Sequence, residues 1–484
     1  MCIGFEKFDA AYRALTGHDG ACRWQYRLFC ELEAGKFPSD IELATGLGKT
    51  SIIAIWALAL GRAILHPPCR VPRRLAYIVD RRVVVDQASE FAEEVRTRME
   101  KAADDPGDPV HEFAATLRDA GCTPGVLETS TLRGQRAQDT RWRDDPSRPA
   151  IVVGTVDMIG SRLLFSGYGR IGPWSRSLEA GLLGQDCLVV LDEAHLCSPF
   201  ATTLAAIERR QSPLAPFAVV RMGATMAPVT DLLSRTPGLR ADAPREPFRL
   251  REDEVCEEKV RDRLLAPKWI TLIEADAGAG ERLAAWAVEK LTQERGAVGM
   301  VLNTVAEARR CVESLKAKLA EQGIQPNDVD LVTITGSMRG WDRDAVTRSR
   351  EYGRFRSDRD RSVISEQPAF LVATSCIEVG ADIDCDHLGT EVCAADSLIQ
   401  RLGRVNRLGL RKEPGSAVTV VGKPDKDTPA GRVFLRLQEL AKNGPLCGSA
   451  GTLPGCLLAG SQARSLLEAR VPPPALTPAV LDDL

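Results

Sequence analysis

Histidine is scarce: five residues, His18, His66, His111, His195 and His387, in a chain of 484. None is paired at metal-ligand spacing, so a histidine-rich metal nuclease is not encoded. His18-Asp19 is a lone HD dipeptide within Thr16-Gly17-His18-Asp19-Gly20, a setting that reads as a turn. The 14 cysteines run from Cys2 to Cys456 without one C-x-x-C spacing, which excludes a zinc ribbon and a thioredoxin-type motif. They read as reduced, partly buried thiols. Aromatic residues make up only 5% of the chain, so base-stacking platforms are few. The longest apolar run, Ser51–Leu60, is far short of the ~18 residues of a membrane span. Met1–Lys7 lacks a basic region followed by an apolar one, so no signal peptide is read and a cytoplasmic protein is expected. A net charge of -3 excludes a surface coated all over in positive charge and leaves room for a local basic groove. No repeat with a period of roughly 20–50 residues is evident.

What is present is the composition of a globular protein, 44% apolar and 27% charged. Short β-rich runs alternate with helical stretches. In the first half they are Ile41–Ala44, Leu75–Val79, Ile151–Val153, Leu188–Leu191 and Ala218–Met222. In the second half they are Val298–Leu302, Leu331–Ile334, Phe370–Ala373 and Val418–Val421. The runs are near-continuously apolar, as strands covered on both faces by helices require. An α/β fold follows, with parallel sheets and right-handed crossovers. The expected division is an N-terminal segment with a first α/β domain over 1–240, a charged, proline-rich linker over 241–265, and a second domain over 266–425. Residues 426–484 read as an irregular extension, and Asp104–Pro149 as a surface insertion.

Three motifs carry chemistry. Leu43-Ala44-Thr45-Gly46-Leu47-Gly48-Lys49-Thr50 follows a strand and opens the helix beginning at Ser51. Its glycines let backbone N–H groups wrap phosphate oxygens at a helix N-terminus. Lys49 suits the β- and γ-phosphates, and the Thr50 hydroxyl suits Mg²⁺. Leu43 stands where the first glycine of the full pattern belongs. The second motif, Asp192-Glu193-Ala194-His195, ends the run Leu188–Leu191, where an α/β sheet places its chemistry. Asp192 is expected to hold Mg²⁺, Glu193 to activate water, and His195 to couple toward a later motif. The third, Gln400-Arg401-Leu402-Gly403-Arg404-Val405-Asn406-Arg407, gathers cations suited to phosphoryl transfer. At helical spacing Arg404 and Arg407 share a face, and to serve the ATP of the first domain they must arrive across a cleft.

With these residues in order the chain resembles a superfamily 2 helicase of the DEAH-box kind. More narrowly it resembles the CRISPR-associated helicase–nuclease of type I interference systems, in its type I-G form. Arg23-Trp24-Gln25 is similar to that family's Q-motif, and Asp80–Gln87 to motif Ia, where Arg81 and Arg82 lie. Gly154-Thr155-Val156-Asp157 resembles motif Ib, and Gly223-Ala224-Thr225-Met226 motif III, with glycine where many helicases carry serine. Asn303-Thr304 resembles motif IV, Thr335–Arg339 with the nearby Arg343-Asp344 motif IVa, Thr374–Asp384 motif V, and the arginine cluster motif VI. Thr131-Leu132-Arg133-Gly134 belongs to the narrower likeness.

The resemblance implies two tandem RecA-like domains and an ATP·Mg²⁺ site of Gln25, Thr45, Gly46, Leu47, Gly48, Lys49, Thr50, Ser51 and Asp382. Metal ligands would be Thr50 and Asp192, and catalytic groups Lys49, Asp192, Glu193, Gln400, Arg404 and Arg407. Coupling would run through His195 and Thr225. Nucleic acid would meet Arg81, Arg82, Arg133, Thr155, Asn303, Thr335, Arg339 and Thr374, mostly through phosphates. The implied activity is 3′-to-5′ translocation on single-stranded DNA after recruitment by a surveillance complex carrying guide RNA. The HD-type nuclease of these proteins is expected on another polypeptide or an absent segment, so cleavage by this chain alone is not expected. An RNA helicase with the same core, and a nucleotide-dependent clamp without turnover, are the competing readings.

Overall fold

The computed structural model describes residues 2–80, 82–122, 124–133, 139–167, 172–210, 215–224, 245–293, 296–325, 328–361, 367–460 and 463–467. The chain divides into two units, Met1–Arg261 and Asp262–Leu484. Each holds a seven-stranded sheet.

In the first unit the strands are β1 (Asp40–Glu42), β2 (Arg74–Val79), β3 (Glu128–Leu132), β4 (Ala150–Thr155), β5 (Cys187–Leu191), β6 (Phe217–Gly223) and β7 (Phe248–Arg249). Their order is β3-β4-β2-β5-β6-β1-β7, with every neighbouring pair parallel. Helices α1 (Phe5–Thr16), α2 (Arg23–Glu33), α3 (Ile52–Ala63), α4 (Arg82–Ala103) and α5 (His111–Ala120) belong to this unit. Helix α3 has no polar face: every residue from Ile52 to Gly61 is buried, as an all-round apolar helix must be. Gly61 is required there, because a Cβ would stand 2.9 Å from the Phe113 carbonyl of α5.

The second unit contains β8 (Lys268–Glu274), β9 (Ala297–Val301), β10 (Asp330–Ile334), β11 (Ala369–Ala373), β12 (His387–Glu391), β13 (Ser416–Gly422) and β14 (Leu446–Cys447). The order is β10-β11-β9-β12-β13-β8-β14, parallel except for β14. Strand period decides which core each side chain joins. On β11, Ala369, Leu371 and Ala373 enter one cluster, while Phe370 and Val372 enter the cluster on the opposite face.

All nine expected strands are present, but five others carried no clear apolar run. The zone read as an insertion supplies α5 and β3. Strand β3, Glu-Thr-Ser-Thr-Leu, is an edge whose polar groups find side-chain partners: Asp139 accepts from Ser130 Oγ at 3.0 Å and Thr131 N at 3.2 Å, and Glu93 from Thr129 Oγ1. The stretch read as a linker contributes β7, which pairs with β1 through Ile41–Phe248. The expected extension packs on the second sheet through β14 and the helix Pro429–Ala441, whose Val433, Phe434 and Leu437 are fully buried. Not all thiols are free: a disulfide joins Cys2 to Cys30 of α2, with Cα atoms 5.7 Å apart. His18-Asp19 lies in the expected turn after α1, with His18 stacked on Phe91. Among the described residues no helix is long and apolar enough to cross a membrane.

Phe434→Ala tests whether the 426–467 segment is integral to the second unit. Loss of a fully buried ring from a core costs ~3–5 kcal/mol. Urea unfolding of that unit shifts accordingly, whereas a loosely attached extension leaves the midpoint unchanged.

Candidate functional site

The phosphate-loop residues sit between β1 and α3, at the C-terminal end of the first sheet. Gly46 and Gly48 adopt φ of 88° and 79°, a left-handed backbone that a side chain rarely tolerates. Leu47 turns inward and is buried, and Thr45 is partly exposed. A short 3₁₀ turn, Lys49–Ser51, leads directly into α3.

Beside this loop β5 ends at Leu191, and the next two residues complete the site. Lys49 Nζ lies 3.1 Å from Glu193 Oε1 and 3.3 Å from the Leu43 carbonyl. The other oxygen of Glu193 stands 3.3 Å from His195 Nδ1. Glu193 itself has φ 45°, the strained backbone often found at functional sites. The phenol of Tyr77, on β2, donates to Asp192 Oδ2 at 2.8 Å, and the Glu193 N–H donates to Asp192 Oδ1 at 3.0 Å. Burial, then the adjacent Glu193, push the Asp192 carboxyl up to about 6, against the pull of Lys49 and Tyr77. Burial, then Asp192, hold the Tyr77 phenol well above its usual range, so it remains a donor. Tyr77 also hydrogen-bonds Thr50, so the two residues expected to ligate a metal share one neighbour. Two hard oxygen donors fit Mg²⁺, which keeps most of its coordination for phosphate and water.

Gln25 is 5% exposed and its amide is engaged on every side. Its Oε1 accepts from Cys22 N, and its Nε2 donates to Tyr12 OH at 2.8 Å and Ser51 Oγ at 2.9 Å. It thereby ties α1 and α2 to the start of α3. Thr155 caps the helix Val156–Leu163 by accepting from Met158 N, and Arg133 pairs with Asp86. Arg82 opens α4. Arg81 and Thr225 lie outside the described residues.

In the second unit the arginine motif is not one helix. The helix Ala395–Leu402 carries Gln400 and Arg401 and ends at Gly403. Val405 then bridges Cys385, and Asn406 takes φ 43°. Arg404 and Arg407 therefore lie in a turn and do not share the helical face that their spacing suggested. Arg404 is buried, and its two terminal nitrogens donate to the Ala381 and Glu378 carbonyls, each at 2.7 Å. Arg407 pairs with Asp382 at 3.1 Å and its side chain is about a quarter exposed. Asp382 also accepts from Ser357 Oγ at 2.6 Å. Thr335 is buried beside Ser337, and Thr374 Oγ1 accepts from Gly336 N at 3.0 Å. Gln400 is 3% exposed, whereas Arg339 is exposed.

Two residues that spacing did not single out organise these motifs. Arg401 Nε pairs with Glu378 Oε1 at 2.8 Å, and its other nitrogens reach Thr390, the Glu391 carbonyl and Asn303 Oδ1. Asn303 is thus committed to Arg401 and, through Nδ2, to the Val392 carbonyl at 2.8 Å. Tyr77 was hidden within an apolar strand. The helix that carries Arg401 also buries Asp396 and Gln400 among its apolar residues, so sequence pattern gave Arg401 no distinct signal.

Residues 294–409 match the family model described as CRISPR-associated nuclease/helicase Cas3, C-terminal. No curated protein matches the chain. Among solved structures, that of T. fusca Cas3–ATP is similar at a TM-score of 0.64 and 17% identity, covering 95% of this chain and 54% of that one. The helicase MrfA bound to DNA gives 0.57 and 13%, covering 94% and 53%. Mss116p bound to single-stranded RNA and AMP-PNP gives 0.55 and 16%, covering 92% and 76%. This chain thus spans about half the length of the Cas3 and MrfA chains. The fold is that of two tandem RecA-like domains with parallel-dominated sheets.

A raised carboxyl pKa has a definite sign in stability. Folded Asp192 keeps its proton to higher pH than the unfolded chain, so this contribution is lost as pH rises from the ordinary carboxyl range through about 6. Asp192→Asn is therefore expected to raise the melting temperature of the nucleotide- and metal-free protein by a few degrees in mildly alkaline buffer. The gain shrinks as the buffer is acidified. A variant that melts lower than the parent in alkaline buffer contradicts the burial argument.

Proposed function

We propose that this chain is the motor of an ATP-driven single-stranded DNA translocase, moving 3′-to-5′ and serving type I CRISPR interference after recruitment by a surveillance complex. The observation that carries the reading is the meeting of two motifs more than a hundred residues apart in sequence, Lys49-Thr50 and Asp192-Glu193, at one end of the first sheet. The Cas3-like match over 294–409 supports the narrower assignment.

In this reading Lys49 exchanges Glu193 for the β- and γ-phosphates of ATP. Glu193, released by Lys49 while His195 stays beside its other oxygen, can then orient and deprotonate the attacking water. Thr50 and Asp192 would hold Mg²⁺, which offsets phosphate charge. Tyr77 and the Glu193 N–H fix the Asp192 carboxylate so that little reorganisation accompanies binding. Gln25 positions the loop through Ser51. Of the two arginines in the turn, Arg407 is the candidate for the γ-phosphate, because its guanidinium is accessible. Arg404 shapes the turn from Glu378 to Ala381, and Gln400 supports it from the preceding helix. The hydroxyls of Thr155, Thr335 and Thr374 and the side chain of Arg339 serve the nucleic-acid backbone, a largely sequence-independent grip. Movement on RNA is the second reading, because the fold is shared with proteins solved on DNA and on single-stranded RNA. The 2′-hydroxyl is the chemical difference that decides between them.

Steady-state ATP hydrolysis tests the proposal with single-stranded DNA, duplex DNA, single-stranded RNA or no nucleic acid. Stimulation by single-stranded DNA and loss of roughly 10²-fold or more in Lys49→Ala are expected. Greater stimulation by RNA overturns the DNA assignment, and no turnover under any condition overturns the motor. Arg407→Ala is expected to lower kcat well beyond any change in ATP affinity, because its contact is strongest in the transition state. Equal losses in both sink that role.

A further inference from the structure

Trp341 is 85% exposed, on the helix Gly340–Thr347, in which no residue is buried. Met338 and Val346 turn the segment's apolar contacts inward against the second-unit core. Trp341 lies on the opposite side, two helical turns from exposed Arg348. Its neighbours are not those of a protein-docking patch, which needs contiguous apolar surface. They are Arg339, Gly340, Asp342 and Arg343, directly following the Thr335-Gly336-Ser337 segment in which Thr374 Oγ1 accepts from the Gly336 N–H. Arg343 is half-buried as a residue, and a guanidinium suits an anionic acceptor such as phosphate. An exposed indole set in sequence among arginines, just after a hydroxyl-bearing segment, matches a nucleotide strand in both its parts, flat apolar base and charged backbone.

We propose that Trp341 is a stacking platform for one unpaired base of a single-stranded nucleic acid, with Arg339 and Arg343 on the adjoining phosphates. The inference rests on the reading of the chain as a nucleic-acid motor and adds a base contact to a grip otherwise made to the backbone. It places one stacking site on the second unit despite the low aromatic content.

The test is fluorescence anisotropy of the full chain with a labelled thymidine homopolymer, its abasic counterpart and a uridine homopolymer. Unmodified protein, Trp341→Ala and Trp341→Phe are compared. One stacked base contributes roughly 5- to 150-fold in affinity. The unmodified chain is expected to prefer the base-bearing strands by about that factor, Trp341→Ala to lose the preference, and Trp341→Phe to retain most of it. Affinity for the abasic strand is expected to be the same in all three. If Trp341→Ala binds the base-bearing strands as tightly as the unmodified chain, the platform is overturned and the motor reading stands. If the unmodified chain binds none of the strands, both fall. Thymidine and uridine strands bound alike show that the platform reads the base without the sugar.

Discussion

Lys49 and Glu193 are opposite charges taken out of water at the end of a parallel sheet, and they pair with each other at 3.1 Å. Desolvating either one alone is expensive, so the pair holds the loop and the strand end in a single arrangement. The rest of the first unit follows from that requirement. Gly46 and Gly48 turn the chain so that Lys49 can point back over the loop, and the apolar run Ile52–Gly61 of α3 fixes where the loop must end. Tyr77 and the Glu193 backbone hold Asp192 with its carboxyl burdened by burial. The site thus gathers a lysine, two carboxylates and a hydroxyl in one buried cluster.

The second unit applies the same principle with different groups. Arg401 and Glu378 form a buried pair that joins the helix before the arginine turn to the segment that Arg404 encloses. Burial raises the demand for complete pairing, and Arg401 meets it with four acceptors. One arginine is thereby spent on architecture, a second shapes a backbone turn, and the third keeps an accessible guanidinium beside Asp382. A cluster of like residues in sequence thus separates into three distinct jobs once burial is known.

Much of this was legible in the chain. Continuous apolar runs marked nine strands because both faces of each sheet are covered. The glycine-rich loop and the acidic strand end announced themselves by spacing and context. What was missed shares a physical cause. Strand β3 is polar because Asp139 completes its edge, β7 and β14 are two residues long, and β8 places Lys268 at its start, buried with its ammonium on the Leu402 carbonyl. Burial also pulls that ammonium down to about 8, a liability that a composition pattern reads as exposure. The arginine spacing suggested one helical face because helix period was assumed through Gly403, where the helix stops. Tyr77 and Arg401 acquire their importance only through neighbours distant in sequence, which spacing cannot reveal.

The central claim is that Lys49 is held by Glu193 until phosphate displaces it. Glu193→Gln removes the competing charge without changing the shape of the side chain. Equilibrium ATP binding and single-turnover hydrolysis, measured on that variant, separate the two roles of the carboxylate. The account predicts binding at least as tight as in the unmodified chain, with hydrolysis slowed by roughly 10²-fold or more. Markedly weaker ATP binding, or hydrolysis at the unmodified rate, contradicts it.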